Sequence, residues 1–66
     1  MNLSQYTRLK TSLIAGAGAI KFAIGESRKI KDFDSIVELY EHNLKRNEDA
    51  QVMLDSYYES QKDDLR

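Results

Sequence analysis

The 66-residue chain has no cysteine and no proline, and each absence excludes a class of structure. Without cysteine the chain has neither disulfides nor thiolate metal sites to stabilise it. Without proline, nothing in the sequence forbids a long helix. With one histidine, His42, a multi-histidine metal site would need several copies of the chain. A single core in a chain this short rarely supplies more than about 3–5 kcal/mol, so we expect self-association.

A long apolar run is also missing. The most apolar segment, residues 13–25, contains Lys21 and is well short of the roughly 20 residues that a membrane span needs. Its continuously apolar part ahead of the small residues is only Leu13–Ile14, too short for the core of a secretory signal. We therefore expect a cytoplasmic protein without a membrane span. The 41% hydrophobic content is sufficient for a folded chain.

Charge is unevenly placed, although the net charge is only −1. Residues 1–31 have six bases and one acid, Glu26, whereas residues 32–66 have the other ten acids and four bases. Such asymmetry indicates either attraction between two halves of a hairpin or binding of nucleic acid. The candidate nucleic-acid contacts are the bases of the first half: Arg8, Lys10, Lys21, Arg28, Lys29 and Lys31.

The apolar pattern of the first half predicts helix 1 over about residues 3–30. Apolar residues recur every three or four positions from Leu3 to Ile24, and Ser4 is the candidate N-cap. The middle of this helix is apolar around most of its circumference. Because one neighbouring helix covers only one side of such a helix, we expect a second neighbour.

Small residues are concentrated in the middle of helix 1. Gly16 and Gly18 each cost the helix roughly 1 kcal/mol relative to alanine, so we expect a compensating contact. Small side chains spaced four apart let helix axes approach closely, by analogy with membrane helices. The residues at that spacing are Ala15, Ala19 and Ala23.

A turn over about residues 31–34 separates helix 1 from helix 2. The Ser35-x-x-Glu38 pattern predicts a capping box, with Asp34 as the competing cap. Helix 2 is predicted over about residues 35–62 and is followed by a frayed tail.

One polar residue, Asn47, interrupts the apolar seam of helix 2. It either fixes helix register and oligomeric state or faces water at a kink. Antiparallel pairing about this turn places Tyr6 near Tyr57 and Tyr58 and places the small residues around Gly16 opposite residues 47–50. We predict one all-α domain, residues 1–66, an antiparallel helical hairpin that self-associates into a four-helix bundle. The alternative is a three-helix arrangement with a break near Gly16–Gly18, Gly25 or Asn47.

No pattern indicates catalysis. Glu38 and His42 are four residues apart, whereas di-metal bundles use Glu-x-x-His, so we interpret them as a solvated stripe. The Gly-Ala-Gly-Ala-Ile-Lys segment lacks the P-loop pattern. We predict no enzyme, no catalytic residue, no cofactor, no metal and no small-molecule substrate.

The sequence favours a small non-enzymatic adaptor or inhibitor that acts through protein–protein interaction. The expected partners are a second copy of the chain, in a homodimer, and another protein. The alternative is a dimer that binds RNA or DNA through the basic face of helix 1. The predicted interface residues combine the apolar middle of helix 1 with Asn47 and a tyrosine pair: Leu13, Ala15, Gly16, Ala19, Ile20, Phe22, Ala23, Asn47, Tyr57 and Tyr58.

Overall fold

Two long helices packed side by side form the molecule. The computed structural model describes residues 1–64, with side chains up to Gln61. Helix α1 spans Leu3–Ser27 and helix α2 spans Asp34–Asp64, and no strand occurs within residues 1–64. Contacts between opposite ends of the chain, such as Tyr6 with Tyr58, show that the helices are antiparallel. The predicted all-α helical hairpin is confirmed.

Both helices are continuous across the positions where a break was considered. Helix α1 runs without interruption through Gly16, Gly18 and Gly25, and α2 runs through Asn47. The three-helix alternative is therefore wrong. Of the three glycines, only Gly16 lies close to α2, whereas nothing among the described residues lies within 4 Å of a Cβ placed on Gly18 or Gly25, so the compensating contact expected at Gly18 is not present.

The start of α1 differs from the prediction. Asn2 is the N-cap, because its side chain accepts a hydrogen bond from the Gln5 N–H at 2.8 Å. The Gln5 side chain accepts in return from the Asn2 N–H at 2.9 Å and completes a capping box. The prediction of Ser4 was wrong, because Asn2 caps at least as well and has a partner three residues later.

The turn is longer than predicted, because α1 ends at Ser27 rather than near residue 30. Within it, Asp32 has a φ of 62°, a left-handed conformation that aspartate adopts more readily than most residues. The carbonyl of Phe33 accepts hydrogen bonds from the N–H groups of Ile36 and Val37, both at 3.1 Å. Helix α2 therefore already includes Ser35 in its first turn.

Two predictions about the ends of helix 2 are corrected by these bounds. Because Ser35 lies inside the helix and Phe33 occupies the capping position, the capping box of Ser35 and Glu38 was wrong. Asp34 is the first helical residue rather than the cap, and its carboxylate lies at the positive end of the helix dipole. At the other end, α2 continues to Asp64, two residues beyond the predicted end. The remainder of the predicted tail lies outside the described residues.

The core between the helices is small. Only Ala17, Ile24 and Val37 are buried hydrophobic residues, and no large side chain in the described part of the chain is fully enclosed. The hairpin measures 55 × 16 × 10 Å and exposes 5269 Å². A compact monomer of 7.6 kDa exposes about 4,300 Å². The chain thus exposes about 1,000 Å² more than a compact protein of its mass.

Candidate interaction surfaces

A polar contact fixes the two helices against each other near their middle. The Asn47 Nδ2 donates to the Leu13 carbonyl at 3.0 Å, and its Oδ1 accepts from Gln51 Nε2 at 2.7 Å. A methyl group on Gly16 would lie 3.3 Å from that Nδ2, so the glycine makes room for the amide. Asn47 therefore faces α1 within the hairpin, and the interpretation that it faces water at a kink was wrong.

Aromatic and charged groups join the helices near the open end of the hairpin. Tyr6 stacks on Tyr58, with ring centroids 4.4 Å apart, as the antiparallel pairing predicts. The Tyr6 hydroxyl donates to Asp55 Oδ1 at 2.6 Å, and Lys10 Nζ donates to Asp55 Oδ2 at 2.8 Å. The hydrogen bond from Lys10, and then that from Tyr6, hold the pKa of the Asp55 carboxyl below its ordinary value. The same Asp55 contact raises the pKa of Tyr6.

The hairpin has one charged side along the seam between its helices. The ion pairs Lys10–Asp55 and Arg28–Glu41, at 2.8 Å and 3.2 Å, both cross the seam on this side. A shallow groove lined by residues of both helices, including Lys21, lies on the same side. Because a helix turns about 100° per residue, the side continues through further positions three or four residues apart. Charged residues at such positions include Lys10, Lys21, Arg28, Glu41, Glu48, Asp55 and Glu59.

The opposite side of the seam is almost without charge, and we call it the uncharged side. Its residues recur at alternating spacings of three and four, which places them along one side of each helix. We follow this spacing through residues 9–23 of α1 and residues 39–57 of α2. Among the residues at that spacing, Arg46 is the only charged one. The other residues of the uncharged side are Leu9, Ser12, Gly16, Ala19 and Ala23 on α1, and Leu39, Asn43, Ala50, Met53 and Tyr57 on α2.

The ten predicted interface residues fall into separate places. Leu13, Ile20, Asn47 and Tyr58 are half-buried between the two helices of one hairpin. Gly16, Ala19, Ala23 and Tyr57 belong to the uncharged side. Ala15 and Phe22 are exposed on the outer surface of α1, away from α2.

Three large apolar residues of the uncharged side were not among the predicted interface residues: Leu9, Leu39 and Met53. All three are exposed, Met53 to 71%. The alternating spacing from residue 39 to residue 57 is the signal that would have identified the α2 members.

Half of the six candidate nucleic-acid contacts are paired with acids of the same chain. Lys10 pairs with Asp55, Arg28 pairs with Glu41, and Lys29 pairs with Glu26. The other three, Arg8, Lys21 and Lys31, form no ion pair with any described residue. The bases that remain available do not form one continuous cluster, because they are distributed from the first turns of α1 to the loop.

Within residues 1–64, neither helix combines the length and the hydropathy that crossing a membrane requires. No group of three or more His, Asp or Glu side chains is arranged to hold a metal ion among the described residues. No family model, curated protein or solved structure matches the chain.

Proposed function

We propose that this chain is a small non-enzymatic interaction protein that works as a homodimer in the cytoplasm. Two hairpins form a four-helix bundle, and the bundle presents a helical surface to another protein as an adaptor or inhibitor. The observation that carries this proposal is the large apolar surface left uncovered by a hairpin with a very small core.

That apolar surface is extensive. Among the described residues, nine large hydrophobic side chains are exposed, to between 48% and 71%. Single exposed hydrophobic residues are normal, but large contiguous patches mark interaction sites in soluble proteins. Four of the nine side chains share the uncharged side: Leu9, Leu39, Met53 and Tyr57. The buried core by contrast contains three hydrophobic residues, of which one is an alanine. Covering the exposed side chains is therefore the main source of stability still available to the chain.

Binding of nucleic acid is the competing function, and the ion pairs argue against it. Phosphate contacts need bases that are free to replace counterions. In this hairpin, Lys10 and Arg28 are held by acids of α2, which lies directly beside α1. The negative charge of α2 would also repel the phosphate backbone.

The oligomeric state provides the first test of the proposal. Sedimentation equilibrium over a wide concentration range should give about twice the chain mass of 7.6 kDa. Helicity and thermal stability should fall on dilution, because a partner that binds only the folded state stabilises it in proportion to its concentration. A monomeric mass with a melting temperature independent of concentration would contradict the homodimer.

A second experiment separates the two classes of partner. Affinity capture from the source organism should recover a protein in a fixed ratio, and calorimetry with that purified protein should show direct binding. In parallel, binding of RNA and DNA is measured at several salt concentrations. Tight binding that weakens steeply with added salt would favour the nucleic-acid function instead.

A further inference from the structure

The uncharged side of the hairpin has the chemistry of a subunit interface. Four of the nine exposed large hydrophobic side chains lie on it: Leu9, Leu39, Met53 and Tyr57. A stable dimer covers about 800 Å² on each partner, close to the roughly 1,000 Å² by which this chain exceeds a compact monomer. We infer that a second copy of this chain covers the uncharged side, an inference that rests on the proposed homodimer.

The charges of the helices determine which helix of the second copy each one faces. Helix α1 has three bases and one acid, a net charge of +2, and α2 has three bases and nine acids, a net charge of −6. Stacking α2 on α2 of the second copy would bring two acidic helices together. Stacking α1 on α2 of the second copy gives every helix oppositely charged neighbours, which is the complementary arrangement. The two copies are then related by a two-fold axis parallel to the helices, with both turns at the same end.

This symmetry also matches large side chains with small ones. Within one hairpin, Lys10 contacts Asp55, so residues whose numbers total about 64 lie at the same height along the helices. A two-fold axis parallel to the helices keeps those heights in the second copy. Leu39 of one copy therefore lies over Ala23 of the other, and Met53 lies over the space beside Ser12. Helix α1 has small residues where α2 has large ones, which allows the helices to approach closely.

Two adjacent substitutions test the location of the interface. Met53 and Val52 are exposed to 71% and 64%, but they point to different sides of α2. Met53→Glu places a charge on the uncharged side of both copies, and we expect the dimer dissociation constant to rise at least about 100-fold, roughly tenfold for each copy. Val52→Glu is the matched control, and we expect a change of less than threefold. Similar dissociation constants for the two variants would overturn the inference.

Cross-linking tests the arrangement of the helices. The chain has no native cysteine, so an Ala23→Cys chain and a mass-tagged Leu39→Cys chain can be mixed and oxidised without background reactions. We expect a disulfide-linked heterodimer in much higher yield than either linked homodimer. A dimer of wild-type affinity that yields no heterodimeric cross-link would overturn the stacking of α1 on α2.

The results separate the inference from the proposed function on which it rests. A wild-type chain that is monomeric at every concentration contradicts both the homodimer and the assigned interface. The same result contradicts both if a different protein is found to cover the uncharged side. A dimeric wild-type chain that is insensitive to Met53→Glu contradicts only the assigned interface. Circular dichroism at a concentration where Val52→Glu is folded shows whether Met53→Glu retains its helices.

Discussion

Alanine substitutions at Gly16 and Gly18 separate two effects of glycine within one helix. At Gly18, an added methyl group meets nothing within 4 Å. The only consequence of Gly18→Ala is then the better helix propensity of alanine, which is worth about 0.8–1 kcal/mol. For a domain of this size, a stabilisation of about 1 kcal/mol raises Tm by roughly 4–8 °C.

At Gly16 the same gain is opposed by a contact across the seam. The added methyl group would lie 3.3 Å from Asn47 Nδ2, which is tighter than an ordinary contact. Moving that amide weakens its hydrogen bond to the Leu13 carbonyl, at present 3.0 Å long. A hydrogen bond of this kind contributes about 0.5–1.5 kcal/mol, enough to cancel the gain in propensity. We expect Gly16→Ala to be about 1 kcal/mol less stable than Gly18→Ala.

Urea unfolding followed by circular dichroism at one fixed chain concentration measures both variants. The concentration is fixed because the stability of a dimer depends on it. An Asn47→Ala background provides the control, since the amide is gone and the difference between the two alanine substitutions should then be smaller than in the wild-type background. Equal stabilisation by Gly16→Ala and Gly18→Ala in the wild-type background would refute the reasoning that the Asn47 contact requires a glycine.

Three further predictions concern residues toward the open end of the hairpin. Asn2→Ala removes the acceptor for the third helical N–H of α1 and should cost about 1 kcal/mol in urea unfolding, whereas a loss below about 0.3 kcal/mol would contradict the capping role. The hydrogen bond from Lys10, and then that from Tyr6, lower the pKa of Asp55 below 3.8. The contribution of the ionised Asp55 to stability is therefore complete above the ordinary aspartate pKa and is lost as the pH falls through the pKa of Asp55 in the folded chain. Asp55→Asn should remove this loss and so flatten the acid side of a plot of stability against pH. The contact with Asp55 raises the pKa of Tyr6 above 10.0. The contribution of the Tyr6–Asp55 contact to stability is present below pH 10 and is lost as the pH rises through the pKa of Tyr6 in the folded chain. Absorbance at 295 nm should show a late-titrating tyrosine that disappears in Tyr6→Phe.

The pairing of the helices could be predicted because it depends on few quantities. The spacing of apolar residues identifies two helices, and the position of the turn then determines which residues face each other. The turn position predicts Tyr6 near Tyr57 and Tyr58 and the small residues around Gly16 near residues 47–50. The structure narrows these to Tyr6 against Tyr58 and Gly16 against Asn47. The cap of helix 2 was predicted wrongly because α2 begins one residue early, at Asp34, which leaves Phe33 at the capping position. The cap of helix 1 was predicted wrongly because several polar residues near its start compete for one position. At the first helix, the reciprocal hydrogen bonds of Asn2 and Gln5 decide the competition.

The division of the interface residues could not be predicted from the sequence. Helix 1 is apolar around most of its circumference, so periodicity does not show which part of it faces α2. The cross-helix pairs Lys10–Asp55 and Arg28–Glu41 distinguish the charged side, and the uncharged side is then defined by elimination. Leu39 and Met53 illustrate the difficulty, because both look like the margin of the hairpin seam until the helices are placed.

The polar contact at Asn47 connects the inside of the hairpin to the surface proposed for the second copy. Moving α2 by one helical turn would separate the Asn47 amide from the Leu13 carbonyl that accepts its hydrogen bond. The same shift would place a residue larger than Gly16 opposite that amide. The contact thus fixes the height of α2 relative to α1, in the way that a single buried Asn fixes register in coiled coils. Because the two-fold axis keeps those heights, the same contact determines whether Leu39 meets Ala23 of the second copy. A register error inside one hairpin would therefore also misalign the dimer, which gives a polar residue in so small a core a structural role beyond its own hydrogen bonds.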